Sequence, residues 1–464
     1  MLDPKTTAVA QAIAEAGGRA LVVGGFVRDL LLGIASKDVD IEVYGLPLEE
    51  LERVLSRFGK LLRVGRAFGV LRVRGLDVDF SMPRRDNKTG AGHRGFQVQL
   101  DPSLDFAEAA RRRDLTINSI ALDPLSGEII DPHGGREDLE ARRLRATDPA
   151  HFAEDPLRGL RAAQFAARFE MQPDAELVAL CRELDLSELA GERLFEEFRK
   201  LLLKGRRPSI GLAFLAESEL LRFFPELDAL RGVEQDPRWH PEGDVWIHTL
   251  MVVDEAAKLR RDEGVDDGVD PDEELALMFG ALCHDLGKPE TTRREGDRIT
   301  AHDHEGRGVA PTERLFERLR APNLLTQRVI GLVRFHLRPV QLVKSGASGR
   351  GYRKLARDAE ASQLSLDLLT RMTRADQLGR GPDETRAERD AAVDAFVARA
   401  AALSLEHAAR DAVQGRHLIA RGLPPGPQFK DLLARCRELQ DETGWQDPER
   451  ILDRVLEGTD EGAG

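Results

Sequence analysis

ALVVGGFVRDLLLGIASKDVDIEV, residues 20–43, decides the fold. It reads as a strand over 20–23, a Gly24-Gly25 turn, a short amphipathic helix stopped at Gly33, and a second strand in which Val39, Ile41 and Val43 alternate. With a side-chain period of two, Asp38, Asp40 and Glu42 share one face of that second strand and the valines and isoleucine take the other. Two aspartates two residues apart lie roughly 7 Å apart at Cα. Their carboxylates can therefore converge on a pair of Mg²⁺ ions about 3.5–4 Å apart. The Gly-Gly turn places backbone N–H groups and a helix N-terminus, Gly25 among them, where a phosphate can lie, and Arg28 offers a fork-shaped cation to the same group.

The order G-G-F-V-R-D followed by K-D-V-D-I-E resembles the head of the nucleotidyltransferase superfamily, in the branch of tRNA CCA-adding enzymes and bacterial poly(A) polymerases. Several later stretches carry the same resemblance. The family places a third acid where Asp79 stands in GLDVDF, after a hairpin expected around Gly75. Residues 84–95, RRDNKTGAGHRG, read as a mobile basic loop, of the kind that in the family helps to switch between nucleotides. RRRDLTINSIAL, residues 111–122, resembles the R-R-D-x-T-x-N motif. Arg113 and Asp114 stand in it, and Arg113 is suited to triphosphate because guanidinium pairs bidentately with phosphate oxygens. Residues 131–146 read as a turn and a basic connector.

AEDPLRGLRAAQFAARFE has apolar residues at helical spacing, with Asp155 and Arg158 at i, i+3 on one expected helix face. A carboxylate beside a guanidinium matches the donor–acceptor edge shared by cytosine and adenine and rejects guanine and uracil. E-D-P-L-R-x-x-R also matches the family's base-reading motif, with Arg161 a further base or phosphate contact. The helix expected over 192–204 resembles the motif supporting the reading helix and is assigned to structure.

Farther on, His248 in an apolar helix, the adjacent His284-Asp285, then His304, His336 and Asp376 resemble the HD phosphohydrolase superfamily. Imidazole and carboxylate together suit a transition metal that activates water for phosphoester hydrolysis. His248, His284, Asp285 and Asp376 form the expected metal set. His304 and His336 belong to a second metal or bind phosphate, and Lys288 touches a phosphate or caps a helix.

Composition agrees with this reading. The chain has 464 residues, 41% apolar and 32% charged, rich in helix formers and poor in aromatics. A net charge of −13 argues against coating nucleic acid by bulk charge but leaves room for a local basic groove. Three distant cysteines make neither a disulfide framework nor a metal motif, and no run reaches membrane length.

The expectation is an α+β chain: a nucleotidyltransferase head with a small mixed sheet (1–145), an all-helical neck with the reading helix (146–230), a helical HD domain (231–380) and a helical tail holding the tRNA body (381–464). The resemblance implies a cytoplasmic enzyme, monomer or homodimer, adding CCA to tRNA from CTP and ATP with Mg²⁺. It also implies an HD centre using Ni²⁺, Mn²⁺ or Co²⁺ on 2′,3′-cyclic or 2′-phosphate ends. The alternatives are an A-adding or CC-adding enzyme, a poly(A) polymerase, or an RNA-binding protein in which only the HD site is active.

Overall fold

A computed structural model describes residues 2–36, 38–64, 70–88, 96–261, 269–381, 383–405 and 410–460, in two compact units, Met1–Phe223 and Phe224–Gly464. The first unit is built on strands β1 (Arg19–Val23), β2 (Val39–Tyr44), β3 (Leu61–Val64), β4 (Val70–Val73) and β5 (Val78–Ser81). It adds β6 (Arg84–Lys88), β7 (Phe96–Leu100), β8 (Ala121–Leu122) and β9 (Ile129–Ile130). Seven of these form one mixed sheet in the order β3-β4-β5-β2-β1-β8-β9. β2 runs antiparallel to β1 and parallel to β5, and the register sets Asp40 beside Asp79. Alternation places Ile41 and Val43 in the core with Leu21 and Phe80, leaving Asp40 open to the other side.

Gly24 leads into the helix Gly25–Leu31 at φ 72°, ψ −133°, a backbone conformation that L side chains avoid. The leading helix, Pro4–Glu15, begins where Asp3 caps it by accepting from Lys5 N–H. Two expectations are corrected. Residues 84–88 are not loop: β6 pairs antiparallel with β7 as a separate hairpin, Arg84 opposite Leu100. The alternating FQVQL segment supplies the partner strand that 84–88 lacked when read alone. The tip, 89–95, lies outside the described residues. The connector at 131–146 contains a helix, Gly135–Glu140, whose first N–H groups Asp131 accepts.

The helix Leu157–Phe169 is buried along most of its length and packs against the helices Gly191–Lys204 and Pro208–Glu217. It starts after Pro156, so Asp155 precedes it. The expected i, i+3 placement on one helix face therefore becomes a placement around the helix start.

In the second unit the helices Val245–Lys258, Pro271–Cys283, Asn323–Phe335 and Leu366–Leu378 pack together. The helical HD region also holds a β-hairpin, Thr292–Glu295 with Arg298–Ala301. The tail helices Gly415–Ala420, Gln428–Thr443 and Pro448–Asp460 enclose a small core of Leu418, Cys436, Ile451 and Leu452. Residues 262–268, in an acidic stretch, and the terminal 461–464 lie outside the described residues. No described helix is long and apolar enough to cross a membrane.

One close approach fixes the second unit's chemistry. A Cβ on Gly287 would run into the His304 carbonyl oxygen and the Gly308 amide. Gly287→Ala is therefore expected to cost about 1–3 kcal/mol by overpacking. Thermal denaturation reads it as a clear fall in midpoint, and an unchanged midpoint would mean that Gly287 does not meet the His304 segment.

Candidate active sites

The first unit contains a cleft of about 550 Å³ bounded by Gly24, Gly25, Asp40 and the faces of two helices. Its lining carries nine basic residues (Arg28, Arg112, Arg113, Arg158, Arg161, Arg168, Arg193, Lys200, Lys204) against three acidic ones (Asp40, Asp114, Asp155). A chain of net charge −13 thus concentrates an excess of six positive charges in one cleft. Such a local field attracts a polyanion whatever the net charge.

Asp40 faces this cleft, and Asp38, just before β2, is exposed. Loss of hydration, then the neighbouring carboxylates of Asp79 and Asp38, hold the Asp40 carboxyl above its usual pKa. Converging acids of this kind suit a divalent cation, and the hard oxygen donors fit Mg²⁺. Asp79 also accepts from Arg72 Nη2 at 2.8 Å.

Glu42, on the same strand, does not join them. It is buried, accepting from Tyr44 Oη at 2.7 Å and Arg112 Nη2 at 2.8 Å and standing 3.4 Å from Arg113 Nη2. Burial alone would raise its pKa, but Arg113 and Arg112 outweigh that and lower it. Glu42 is thus an ionised anchor for both arginines.

Arg28 takes a place that sequence reasoning did not foresee. It is buried, donates to Asp29 at 2.7 and 2.9 Å and to Asn118 Oδ1 at 2.5 Å, and lies over the Phe165 and Phe169 rings. These contacts make it a strut between the glycine turn and the helix Leu157–Phe169 rather than a free phosphate cation.

Asp114 is likewise a hub, accepting from Leu115 N–H, Asn118 Nδ2 and, at 2.7 Å, Arg161 Nε. Arg158 donates to the carbonyls of His151 and Arg112 at 2.7 and 2.5 Å. Asp155 caps Leu157 N–H and stands 3.3 Å from Arg193 Nη2. Arg193, Lys200 and Lys204 lie on the helix that sequence reasoning assigned to structure alone. Their spacing along its cleft side was the available signal.

In the second unit the six HD positions come together. His248 Nε2 lies 3.3 Å from His284 Nε2, 3.2 Å from Asp376 Oδ1 and 3.8 Å from Asp285 Oδ2. His284 Nε2 lies 3.2 Å from Asp285 Oδ2, and His304 Nε2 3.4 Å from Asp285 Oδ1. The rings of His304 and His336 are 5.6 Å apart.

The outward nitrogens explain the inward ones. His284, His304 and His336 each place Nδ1 2.8–2.9 Å from the carbonyl three residues earlier, so Nδ1 carries the proton there. His248 Nδ1 meets Glu242 Oε1 at 3.0 Å. His284, His304 and His336 therefore keep Nε2 unprotonated, and the Nε2 atoms of His284 and His304 stand 3.2 and 3.4 Å from the Asp285 carboxylate oxygens. Facing lone pairs repel unless a cation lies between them, so this donor set fits a transition metal.

Burial pushes His336 down to about 3, keeping its ring neutral. Burial would do the same to His248, but Asp376 and Glu242 more than reverse it. Asp285 and Asp376 are buried, yet beside His284 and Lys288, and beside Arg380 and His248 respectively, both stay well below the usual carboxylate range. Sequence reasoning missed His240 and Glu242: Glu242 Oε1 bridges His240 Nδ1 (2.8 Å) and His248 Nδ1. They sit in the loop before the helix, where no periodicity marks them. His302 is exposed and apart from the cluster. Lys288 is buried, bonded to Asp285 Oδ2 and Gln235 Oε1 at 2.7 Å each.

Comparison with known proteins finds a family model over the region of each site. Residues 20–145 match the Poly A polymerase head domain, 171–231 a probable RNA- and SrmB-binding site of polymerase A, and 245–378 the HD domain. Head and HD domain on one chain define the class, a nucleotidyltransferase carrying an HD domain, both parts of which imply divalent metals. The chain is 37% identical over 428 residues to the multifunctional CCA protein of Xanthomonas campestris pv. campestris (strain B100), spanning 90% of this chain and 96% of that one. The multifunctional CCA protein of Xanthomonas euvesicatoria pv. vesicatoria is also 37% identical, with the same coverage. The chain belongs to the family of multifunctional CCA proteins. Its fold is that of solved CCA-adding enzymes. The Bacillus stearothermophilus enzyme in complex with CTP superposes with a TM-score of 0.67 at 23% identity, covering 99% of each chain. The Thermotoga maritima enzyme complexed with tRNA gives 0.60 at 20%, covering 99% of this chain and 96% of that one.

Proposed function

We propose that this chain adds C, C and A in turn to the 3′ end of tRNA in the cytoplasm, from CTP and ATP and without a nucleic-acid template. The observation that carries the reading is the basic cleft with Asp40 at its edge and Asp155 and Arg158 in its wall. Mg²⁺ held by Asp38 and Asp40, with Asp79 beside them, would supply charge for the deprotonating 3′-hydroxyl and the triphosphate. The bond from the 3′ oxygen to the α-phosphorus replaces that to the departing pyrophosphate. Arg113, held by Glu42, and the amides at Gly24-Gly25 bind phosphates. Asp155 and Arg158 accept cytosine or adenine by their shared edge, and Arg161, fixed by Asp114, contacts base or phosphate. Residues 1–145 catalyse, 146–230 read the base and 381–464 hold the tRNA body.

In residues 231–380, His248, His284, Asp285 and Asp376 would hold one transition metal, Ni²⁺, Mn²⁺ or Co²⁺. His304 and His336 would hold a second, with Asp285 shared. The metals would supply an activated water for hydrolysing 2′,3′-cyclic or 2′-phosphate ends. Lys288 and Arg380 steady the carboxylates of Asp285 and Asp376.

Extension of tRNA ending before CCA, after C and after CC, with CTP, ATP or both, tests the first activity. Three additions needing both nucleotides support it. Addition of C alone, of A alone, or of an open-ended A tail replaces it. Asp155→Ala is expected to lower C and A addition by roughly 10–100-fold and to narrow the preference over G and U, since paired polar groups on a base edge are worth about 1–3 kcal/mol of discrimination. Unchanged nucleotide preference would remove Asp155 from base reading.

A further inference from the structure

The HD centre forms the floor of a cleft of about 350 Å³, within the range of sites for small organic ligands. His304, His336, Asp285 and Asp376 line its depth, with Lys288, Lys344 and Arg380 among them. Trp239 stands in the same lining and is 67% exposed, the largest exposure among the exposed large apolar side chains of the described residues. Among the described residues no aromatic ring or guanidinium stacks on it.

An indole left in water beside a polar cleft has lost the burial that usually accounts for tryptophan. Its loop is tied to the histidine–aspartate cluster from both sides. Trp239 N–H donates to the Asp236 carbonyl at 3.0 Å, and Asp236 accepts from Arg238 Nε at 2.8 Å. The preceding Gln235 bonds Lys288, which bonds Asp285. The following His240 packs edge-on against His248, ring centroids 4.8 Å apart, and shares Glu242 with it. The indole is thus held on a rigid loop one residue from the group packed on a metal-facing histidine.

We propose that Trp239 is a stacking platform for a nucleobase, so that the HD cleft selects phosphoesters carried on a nucleoside over esters of the same phosphate without a base. This rests on the hydrolase reading of the HD centre. Phosphate would sit toward the metal-facing residues and the cationic side chains, and the base would lie on the indole at the mouth. Every base has a π-face, so the platform favours nucleosides as a class without choosing one.

The test uses the full chain loaded with Ni²⁺ or Mn²⁺ and two substrates of equal phosphate chemistry, adenosine 2′,3′-cyclic phosphate and glycerol 1,2-cyclic phosphate. Trp239→Ala is expected to lower the kcat/KM ratio of the first over the second by roughly 5–150-fold, chiefly through KM, and Trp239→Phe to restore most of it. A ratio unmoved by Trp239→Ala overturns the proposal, and so does failure of phenylalanine to restore it. Binding gives a reading independent of turnover. Adenosine 2′-phosphate should quench the fluorescence that distinguishes the wild type from Trp239→Phe, and glycerol 2-phosphate should not. If neither ester is hydrolysed, the hydrolase reading falls, while saturable quenching by the nucleotide alone still supports the platform. Absence of that quenching overturns it.

Discussion

Replacing Asp40 by Asn is expected to lower nucleotide addition by at least about 10³-fold while the protein keeps its fold. The carboxylate lies in register with Asp79 and near Asp38, in a cleft otherwise dominated by cations. If these acids hold metal, losing one removes several kcal/mol of transition-state stabilisation, and each 1.36 kcal/mol is a tenfold loss. The sign of the stability effect separates this role from a structural one. Partial loss of hydration and the like charges of Asp79 and Asp38 raise the Asp40 pKa in the folded chain, so at neutral pH its ionised form is less favourable there than in the unfolded chain and opposes folding. The amide should therefore leave the thermal midpoint of the metal-free protein unchanged or slightly higher. Such a trade of stability for function is characteristic of active-site charges. Primer extension and thermal denaturation on the same preparation read both effects. Addition within tenfold of wild type would remove Asp40 from catalysis, and a large fall in midpoint would make it structural.

The first unit was legible where its signals are local. The strand–turn–helix–strand of 20–43 rests on a period of two, a glycine pair and one helix stop, and all of these survive in β1, β2 and the helix between them. What sequence could not give were partners brought from a distance. Glu42 shares the expected face with Asp40, yet Arg112 and Arg113, 70 residues on, draw it into a buried ion pair. Residues 84–88 carry no apolar period, and only pairing with 96–100 makes them a strand. Arg28 read as a phosphate ligand until Asn118 and two phenylalanines of a later helix were found around it. In the second unit the six HD positions were legible through the resemblance that their H … HD … H … H … D order carries, and in the structure all six are buried. Glu242 was not, since an acid in a Pro- and Gly-containing loop looks like any solvated turn until His240 and His248 close on it.

Asp285→Asn is expected to abolish hydrolysis at the HD centre, by at least about 10³-fold, and to empty it of metal, with nucleotide addition in the head retained. Asp285 is buried and uses both oxygens: Oδ2 faces His284, His248 and Lys288, and Oδ1 faces His304. It therefore joins the His248–His284 group to the His304–His336 group. Its folded pKa lies well below the ordinary value, so the stability it contributes is present above about pH 4 and lost as pH falls through the folded pKa. Neutralising it at pH 7 strands Lys288 beside an amide, and removing one member of a buried pair costs about 3–5 kcal/mol. The thermal midpoint of Asp285→Asn should fall accordingly. A lower midpoint alone would not distinguish a metal bridge from a structural ion pair, so the metal content decides. Equilibrium dialysis against Mn²⁺, on chains carrying Asp38→Asn and Asp40→Asn so that the head holds none, should give two ions per chain with the HD centre intact, none held tightly with Asp285→Asn, and one with His304→Ala. Wild-type metal content in His304→Ala would assign His304 and His336 to phosphate rather than to metal. Full metal content in Asp285→Asn would contradict the bridge itself.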